Sequence, residues 1–369
     1  MKTFIIAEVG INHNGSLENA FKMIDISKEA GCDAVKFQLF TAKNLYPKSA
    51  GTIDWHDGEK SYDYNIFDMV KQFETPLEWI DLLIEYCDKR NIDFMSTVYD
   101  IDGLNFLMQK NVTKIKLSSY SITHIPLIDA CAKIKLPIIL STGGATLSEV
   151  DNALNTVLKF HNNLTLLQCS ICYPAKLSDC NMGVLDTYKK AFPDVSIGYS
   201  DHTIEISDAP VQSVYLGGTV IEKHITLDKK MDGPDHFFAL EPDELKQMVL
   251  DIRKAEQDII NKNYSINPEI YGSSRKYTYP HEEYLKKFAY PTLFVNRKIN
   301  MGERIMPKDI SILRPGEKQR GLEPKYFWLF EEHNIIANHD MKFEDSLNWD
   351  DFLSVGKKYE KTNYCSTSR

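Results

Sequence analysis

An α/β chain, with eight parallel strands closed into a TIM (β/α)8 barrel and a small, mostly β domain after it, is the fold this sequence predicts. Three observations lead there. Short apolar runs recur at 4–9, 34–40, 93–98, 114–119, 137–142, 164–170, 195–200 and 219–225. Amphipathic helical stretches such as 17–30, 77–89 and 147–160 separate most of them. Polar side chains gather where the runs end. Strands alternating with helices are parallel and joined by right-handed crossovers, and eight units in roughly 230 residues fit a closed barrel. A doubly wound sheet is the alternative, but no glycine-rich phosphate fingerprint follows the first run.

The elements follow in order. The first run begins almost at the N-terminus, leaves no room for a signal peptide and carries Glu8 near its end. The second sets Lys36 and Gln38 on one face, because strand side chains alternate with a period of two. The fourth carries Lys116 and Ser119, and the fifth ends in Ser141-Thr142-Gly143-Gly144. The seventh ends in Ser200-Asp201-His202 and the eighth in Glu222-Lys223-His224, with Gly233-Pro234-Asp235-His236 close behind.

In such a barrel the chemistry sits at the C-terminal ends of the strands. A lysine within an apolar run is costly to bury unless an anion pairs with it. Lys36 and Lys116, with Ser119, Ser141 and Ser200, therefore describe a mouth for a phosphate and carboxylate ligand. Neutral imidazole is the commonest side-chain ligand of first-row divalent metals. His202 and His224, at neighbouring strand ends, could hold such an ion and leave positions open for water and substrate. His13 and His236 read as polar-network or substrate-side residues.

The connection 41–74 is long and rich in aromatics, among them Tyr46, Trp55, Tyr62, Tyr64 and Phe67, beside His56 and Gly58, and reads as an ordered lid over the mouth. The barrel is expected over 1–260. Residues 261–287 are polar, with Pro268, Gly272 and Pro280, and read as a linker. A compact segment of low helical content follows at 288–353, too small to be comfortably stable alone. The tail 354–369 is charged, polar and expected to be mobile.

Composition excludes several classes. The chain has 369 residues, is 43% hydrophobic and carries a net charge of -9, which argues against nucleic-acid binding and against an anionic membrane. No apolar run approaches a membrane span, so the cytoplasm is the default. Seven scattered cysteines form no disulfide framework, and the pair Cys169 and Cys172 reads as small apolar filling.

The motifs together resemble the sialic acid synthase family, the bacterial nonulosonic acid synthases. The resemblance is carried by Ile6-Ala7-Glu8-Val9-Gly10-Ile11-Asn12-His13-Asn14-Gly15-Ser16, Val35-Lys36-Phe37-Gln38, Leu140-Ser141-Thr142-Gly143 and Gly198-Tyr199-Ser200-Asp201-His202-Thr203, then by Glu222-Lys223-His224 and Gly233-Pro234-Asp235-His236. The C-terminal segment, with Arg314-Pro315-Gly316, resembles the family's antifreeze-like (SAF) domain. The resemblance implies condensation of phosphoenolpyruvate with the open-chain aldehyde of an N-acyl hexosamine, giving a 2-keto-3-deoxy acid and phosphate. It implies that His202 and His224 bind a divalent metal, usually manganese, with magnesium and cobalt as alternatives. It assigns phosphoenolpyruvate to Lys36, Lys116, Ser119, Ser141 and Ser200. Glu8 would be the catalytic carboxylate and Asp235 a carboxylate near sugar and metal, while Gln38 and Tyr173 line the pocket. Arg314 would reach the sugar's N-acyl group from the partner subunit of a domain-swapped homodimer.

Two positions and one short segment depart from the family pattern. Ser121 stands where an acidic residue is usual, Ile171 where asparagine or serine is usual, and Val98-Tyr99-Asp100 where proline-phenylalanine-aspartate is usual. Ser121 and Ile171 are expected near the pocket and would make it less acidic and more apolar. The alternatives are a synthase of another 2-keto-3-deoxy sugar acid and a non-catalytic binding member of the same fold.

Overall fold

The computed structural model describes residues 2–56 and 61–352, and their side chains except at 53–56 and 61–63. The lid side chains Trp55, His56, Gly58 and Tyr62 and the tail 354–369 lie outside what is described.

The eight apolar runs become Phe4–Gly10, Ala34–Leu39, Asp93–Val98, Ile115–Leu117, Ile138–Ser141, Leu164–Cys169, Ser196–Asp201 and Val220–His224. They close into one parallel barrel, in which the first strand lies between the second and the eighth. The fourth strand is shorter than its apolar run, because the chain turns into a 3-10 helix at Ser119–Ser121.

Helices start and stop where local chemistry dictates. Leu17–Ala30 begins at Ser16, whose side chain accepts the Asn19 N–H, and ends at Gly31 in the left-handed region. Leu147–Leu158 opens with a Thr146/Glu149 capping box. The helices bury their apolar faces against the outside of the barrel, where Met23, Ile24, Leu83, Val150 and Ile252 are among the buried residues.

Inside the barrel the period of two produces layers. The lower layer is apolar: Ile6, Ala34, Met95, Ile139, Leu167 and Val220 form one cluster. Two residues further along those same strands stand Glu8, Lys36, Thr97, Ser141, Cys169 and Glu222. A hydrophobic floor thus carries a mostly polar layer, and register fixes who meets whom. Glu8 lies opposite His224 on one side and Lys36 on the other, and Glu222 lies opposite Ser200.

The described residues of the long connection are regular. It forms a short helix Ala42–Leu45, an antiparallel pair Thr52–His56 and Ser61–Asn65, and a helix Ile66–Gln72. Beyond the barrel, a second hydrophobic cluster runs from Leu293 to Phe352. Its described ladder is only two four-residue strands, Thr292–Val295 and Ile310–Leu313, so turns and isolated bridges make up much of the rest.

Residues 261–287 are less free than a linker. Ile270 belongs to the barrel's own core, and Lys276 and Glu282 are buried. The small C-terminal part sits on the mouth of its own chain's barrel. Arg314 N–H donates to the Leu45 carbonyl at 2.9 Å, and Glu317 N–H to that of Ala50 at 2.8 Å. Glu344 accepts from the Lys48 and Ser49 N–H groups. Gly316, at φ +62, passes so close to the Ala50 carbonyl that any side chain would collide with it.

Candidate active site at the barrel mouth

One cavity of about 450 Å³ opens at the C-terminal mouth. All twelve side chains expected at the site line it: Glu8, Lys36, Gln38, Lys116, Ser119, Ser141, Tyr173, Ser200, His202, His224, Asp235 and Arg314.

Its floor is a charged network. Lys36 Nζ lies 2.5 Å from Glu8 Oε2 and donates to Thr97 Oγ1 at 2.9 Å. Gln38 donates to Glu8 Oε1 at 2.8 Å, and the Tyr99 hydroxyl donates to Gln38 at 2.8 Å. Lys116 Nζ donates to Ser141 Oγ at 2.8 Å. Glu222 Oε1 stands between the lysines, 3.6 Å from Lys36 and 3.5 Å from Lys116, and accepts from Ser200 at 3.2 Å. Lys36, Lys116 and Glu8 are each no more than 2% exposed.

Burial raises the Glu8 carboxyl above its usual range; Lys36 pulls it back and Glu222 adds to the rise. Burial also opposes the charge on Lys36, but Glu222 and Glu8 together outweigh it and raise its pKa. On Lys116 burial wins, and its pKa is lowered. For Glu222 the cost of burial is overcome by Lys116 and Lys36, which hold it low.

Above the floor stand the imidazoles, with ring centroids 5.5 Å apart. His202 Nδ1 lies 2.7 Å from the Ser170 carbonyl oxygen, so Nδ1 carries the proton and Nε2 keeps its lone pair. His224 Nδ1 is buried without a hydrogen-bond partner, 3.7 Å from Asp235 Oδ2. Burial pushes both imidazoles down and so keeps them neutral. It pushes Asp235 up to about 7. No group of three or more His, Cys, Asp or Glu side chains is gathered for a metal among the described residues. Two neutral imidazoles, one with an orphaned nitrogen facing a carboxylate, nevertheless suit a divalent ion that takes its remaining ligands from water or substrate. Cys169 lies 3.7 Å from His202 Nδ1 and lines the cavity, whereas Cys172 falls beyond the strand's end.

Arg314 closes the rim. Its guanidinium stands 5.7 Å from the Tyr46 ring centroid, 5.1 Å from that of Tyr99 and 4.7 Å from that of Tyr120. Within this chain it reaches the mouth through the backbone bonds that seat the small C-terminal part on residues 45–50.

Ser121 and Ile171 lie near the cavity, as expected, but not on its wall. Ile171 turns into the core beneath Gly143 and Gly144, and Ser121 lies behind Tyr120, 3.3 Å from Ser118 Oγ. Neither lines the main cavity. His13 and His236 are polar-network residues: His13 meets Thr75 and His236 meets Thr226 and Asn14. Glu222, Tyr99, Tyr120 and Met69 line the cavity but were not among the expected residues. The signal for Glu222 was available, since it shares a face with His224 two residues on.

A parallel barrel carrying lysines, carboxylates and paired imidazoles at one end is the scaffold of an enzyme for an anionic substrate. The model of the NeuB family matches residues 23–264, and the chain belongs to that family. It is 40% identical to the spore coat polysaccharide biosynthesis protein SpsE of Bacillus subtilis over 354 residues, 95% of this chain and 93% of that protein. The crystal structure of SpsE superposes with a TM-score of 0.84 at 39% identity, covering 95% of each chain. The chain is also 36% identical to the N,N'-diacetyllegionaminic acid synthase of Legionella pneumophila, over 92% of this chain and 90% of that one.

Proposed function

We propose that this protein is a nonulosonic acid synthase, condensing phosphoenolpyruvate with the open-chain aldehyde of an N-acyl hexosamine and releasing phosphate. The observation that carries the reading is the convergence of all twelve expected side chains on one cavity.

Phosphoenolpyruvate, with about three negative charges, belongs at the floor beside Lys36, Lys116, Ser119, Ser141 and Ser200. The aldehyde belongs above it, between His202, His224, Asp235 and Arg314. His202 and His224 would hold a divalent metal, manganese first and magnesium or cobalt as alternatives, which when bound polarises the aldehyde oxygen. C3 of phosphoenolpyruvate forms the new bond to the aldehyde carbon, and the aldehyde oxygen takes a proton. Water adds at C2; the C2–O bond to phosphate then breaks, leaving a 2-keto acid. Glu8 is the group for the proton of that water, because burial raises its affinity for a proton while Lys36 keeps it oriented. Asp235 faces the sugar side.

The test is phosphate release from phosphoenolpyruvate across a panel of N-acyl hexosamines and, as controls, aldose phosphates. Turnover with at least one N-acyl hexosamine is expected. Turnover only with aldose phosphates would favour a synthase of another 2-keto-3-deoxy sugar acid, and no turnover at all a binding protein.

The assembly we propose is a homodimer that exchanges C-terminal parts. The contacts that seat Arg314 here within one chain can form unchanged between two, and the small part has too little core to stand alone. Mixing Glu8→Ala with Arg314→Ala subunits decides the matter. Exchange predicts partial recovery of activity in hybrids, because one site regains both residues. If Arg314 serves its own barrel, the mixture stays as inactive as its parents.

A further inference from the structure

Residues 273–290 cross the barrel rim as a strap beside the turn after the fifth strand. At its centre is Glu282, 1% exposed. Glu282 Oε1 accepts the N–H of Gly144 at 2.8 Å and of Ile171 at 3.2 Å, while Oε2 accepts the Tyr279 N–H at 3.1 Å. One carboxylate thereby ties the turns after the fifth and sixth strands to the strap. Thr278 donates its hydroxyl to the Gly144 carbonyl at 2.8 Å, and Tyr290 donates to the Gly143 carbonyl at 2.6 Å. On the cavity side, the Gly143 N–H donates to Ser119 Oγ at 2.9 Å, and Ser141 accepts from Lys116.

The amides and carbonyls of Gly143 and Gly144 are thus held by the strap on one side and by a cavity serine on the other. The turn has little slack. Gly144 sits at φ +69, and a Cβ there would come within 2.6 Å of Ile171 Cδ1. A buried carboxylate is tolerated only when fully bonded, and these three backbone donors meet that need.

We propose that Glu282 is a positioning residue for the anion end of the cavity. It fixes the Gly143–Gly144 turn and, through the Gly143 N–H and Ser141, sets Ser119 and Lys116 for their ligand. The inference rests on the reading of that end as the phosphoenolpyruvate subsite.

Glu282→Gln tests it, because the amide must turn one NH2 group toward a backbone N–H. The expected result is a split: KM and Kd for phosphoenolpyruvate rise about tenfold or more, while KM for the sugar at saturating phosphoenolpyruvate stays within about twofold. Tyr290→Phe removes only the hydroxyl that holds the Gly143 carbonyl and should give the same split in weaker form. It decides the matter if Glu282→Gln fails to fold. Equal rises in both KM values overturn the proposal, as does a lowered Tm with both KM values unchanged. A wild-type enzyme that neither binds nor consumes phosphoenolpyruvate overturns the functional reading itself, an outcome visible before any variant is made.

Discussion

Lys36→Met will be among the most damaging single changes. The methionine keeps the unbranched stem but leaves Glu8 and Glu222 facing each other, buried, with one of their two cations gone. Removing one partner of a buried ion pair costs about 3–5 kcal/mol. The unliganded protein should therefore lose stability, seen as a lower midpoint in urea. A charge-assisted contact with the ligand is worth about 1.5–3 kcal/mol, so affinity for phosphoenolpyruvate should fall by about one to two orders of magnitude. Lys116→Met should weaken phosphoenolpyruvate binding similarly but destabilise less, because burial already works against its charge and lowers its pKa. Calorimetric titration with phosphoenolpyruvate checks both variants. Unchanged affinity in either would remove that lysine from the subsite.

The imidazoles carry the second large effect. His202→Ala and His224→Ala should each lower metal-dependent turnover more than about 100-fold, since even residues that merely support metal ligands are worth 10–100-fold. Each variant should also bind less divalent metal after dialysis, with its circular dichroism unchanged. Chelation of the wild-type protein should abolish turnover, and added manganese should restore it. Full activity in either alanine variant would reject the assignment.

Much of this site was legible because a barrel strand writes its inward face into the sequence at every second position. Lys36 and Gln38 in one run, and Glu222 and His224 in another, announce a shared face before any coordinates exist. What could not be read was the relation across the barrel. Glu222 matters because strands two and four bring Lys36 and Lys116 to either side of it, and no spacing records that. The tyrosines around Arg314 come from three separate places, at 46, 99 and 120, and surround a guanidinium that the small C-terminal part brings. Residues 261–287 passed for a linker because most of their partners are polar groups of the barrel, backbone at Gly144 and Ile171 and side chains at Glu149, Gln168 and Asp186. A segment that satisfies loops has the composition of one that satisfies water. Ile171 makes a related point: a pattern position says which turn a residue occupies, not which way its side chain leaves that turn.

The apolar floor of Ile6, Ala34, Met95, Ile139, Leu167 and Val220 makes the barrel a well with a sealed bottom. A well has one doorway. On the proposed reading, whatever binds at the lysines lies deeper than whatever binds between the imidazoles and Arg314, and it should be slow to leave while the outer occupant stays. Traffic through the proposed site should then be stacked, first in at the bottom and last out past the rim, an order that initial-rate and product-inhibition kinetics would read.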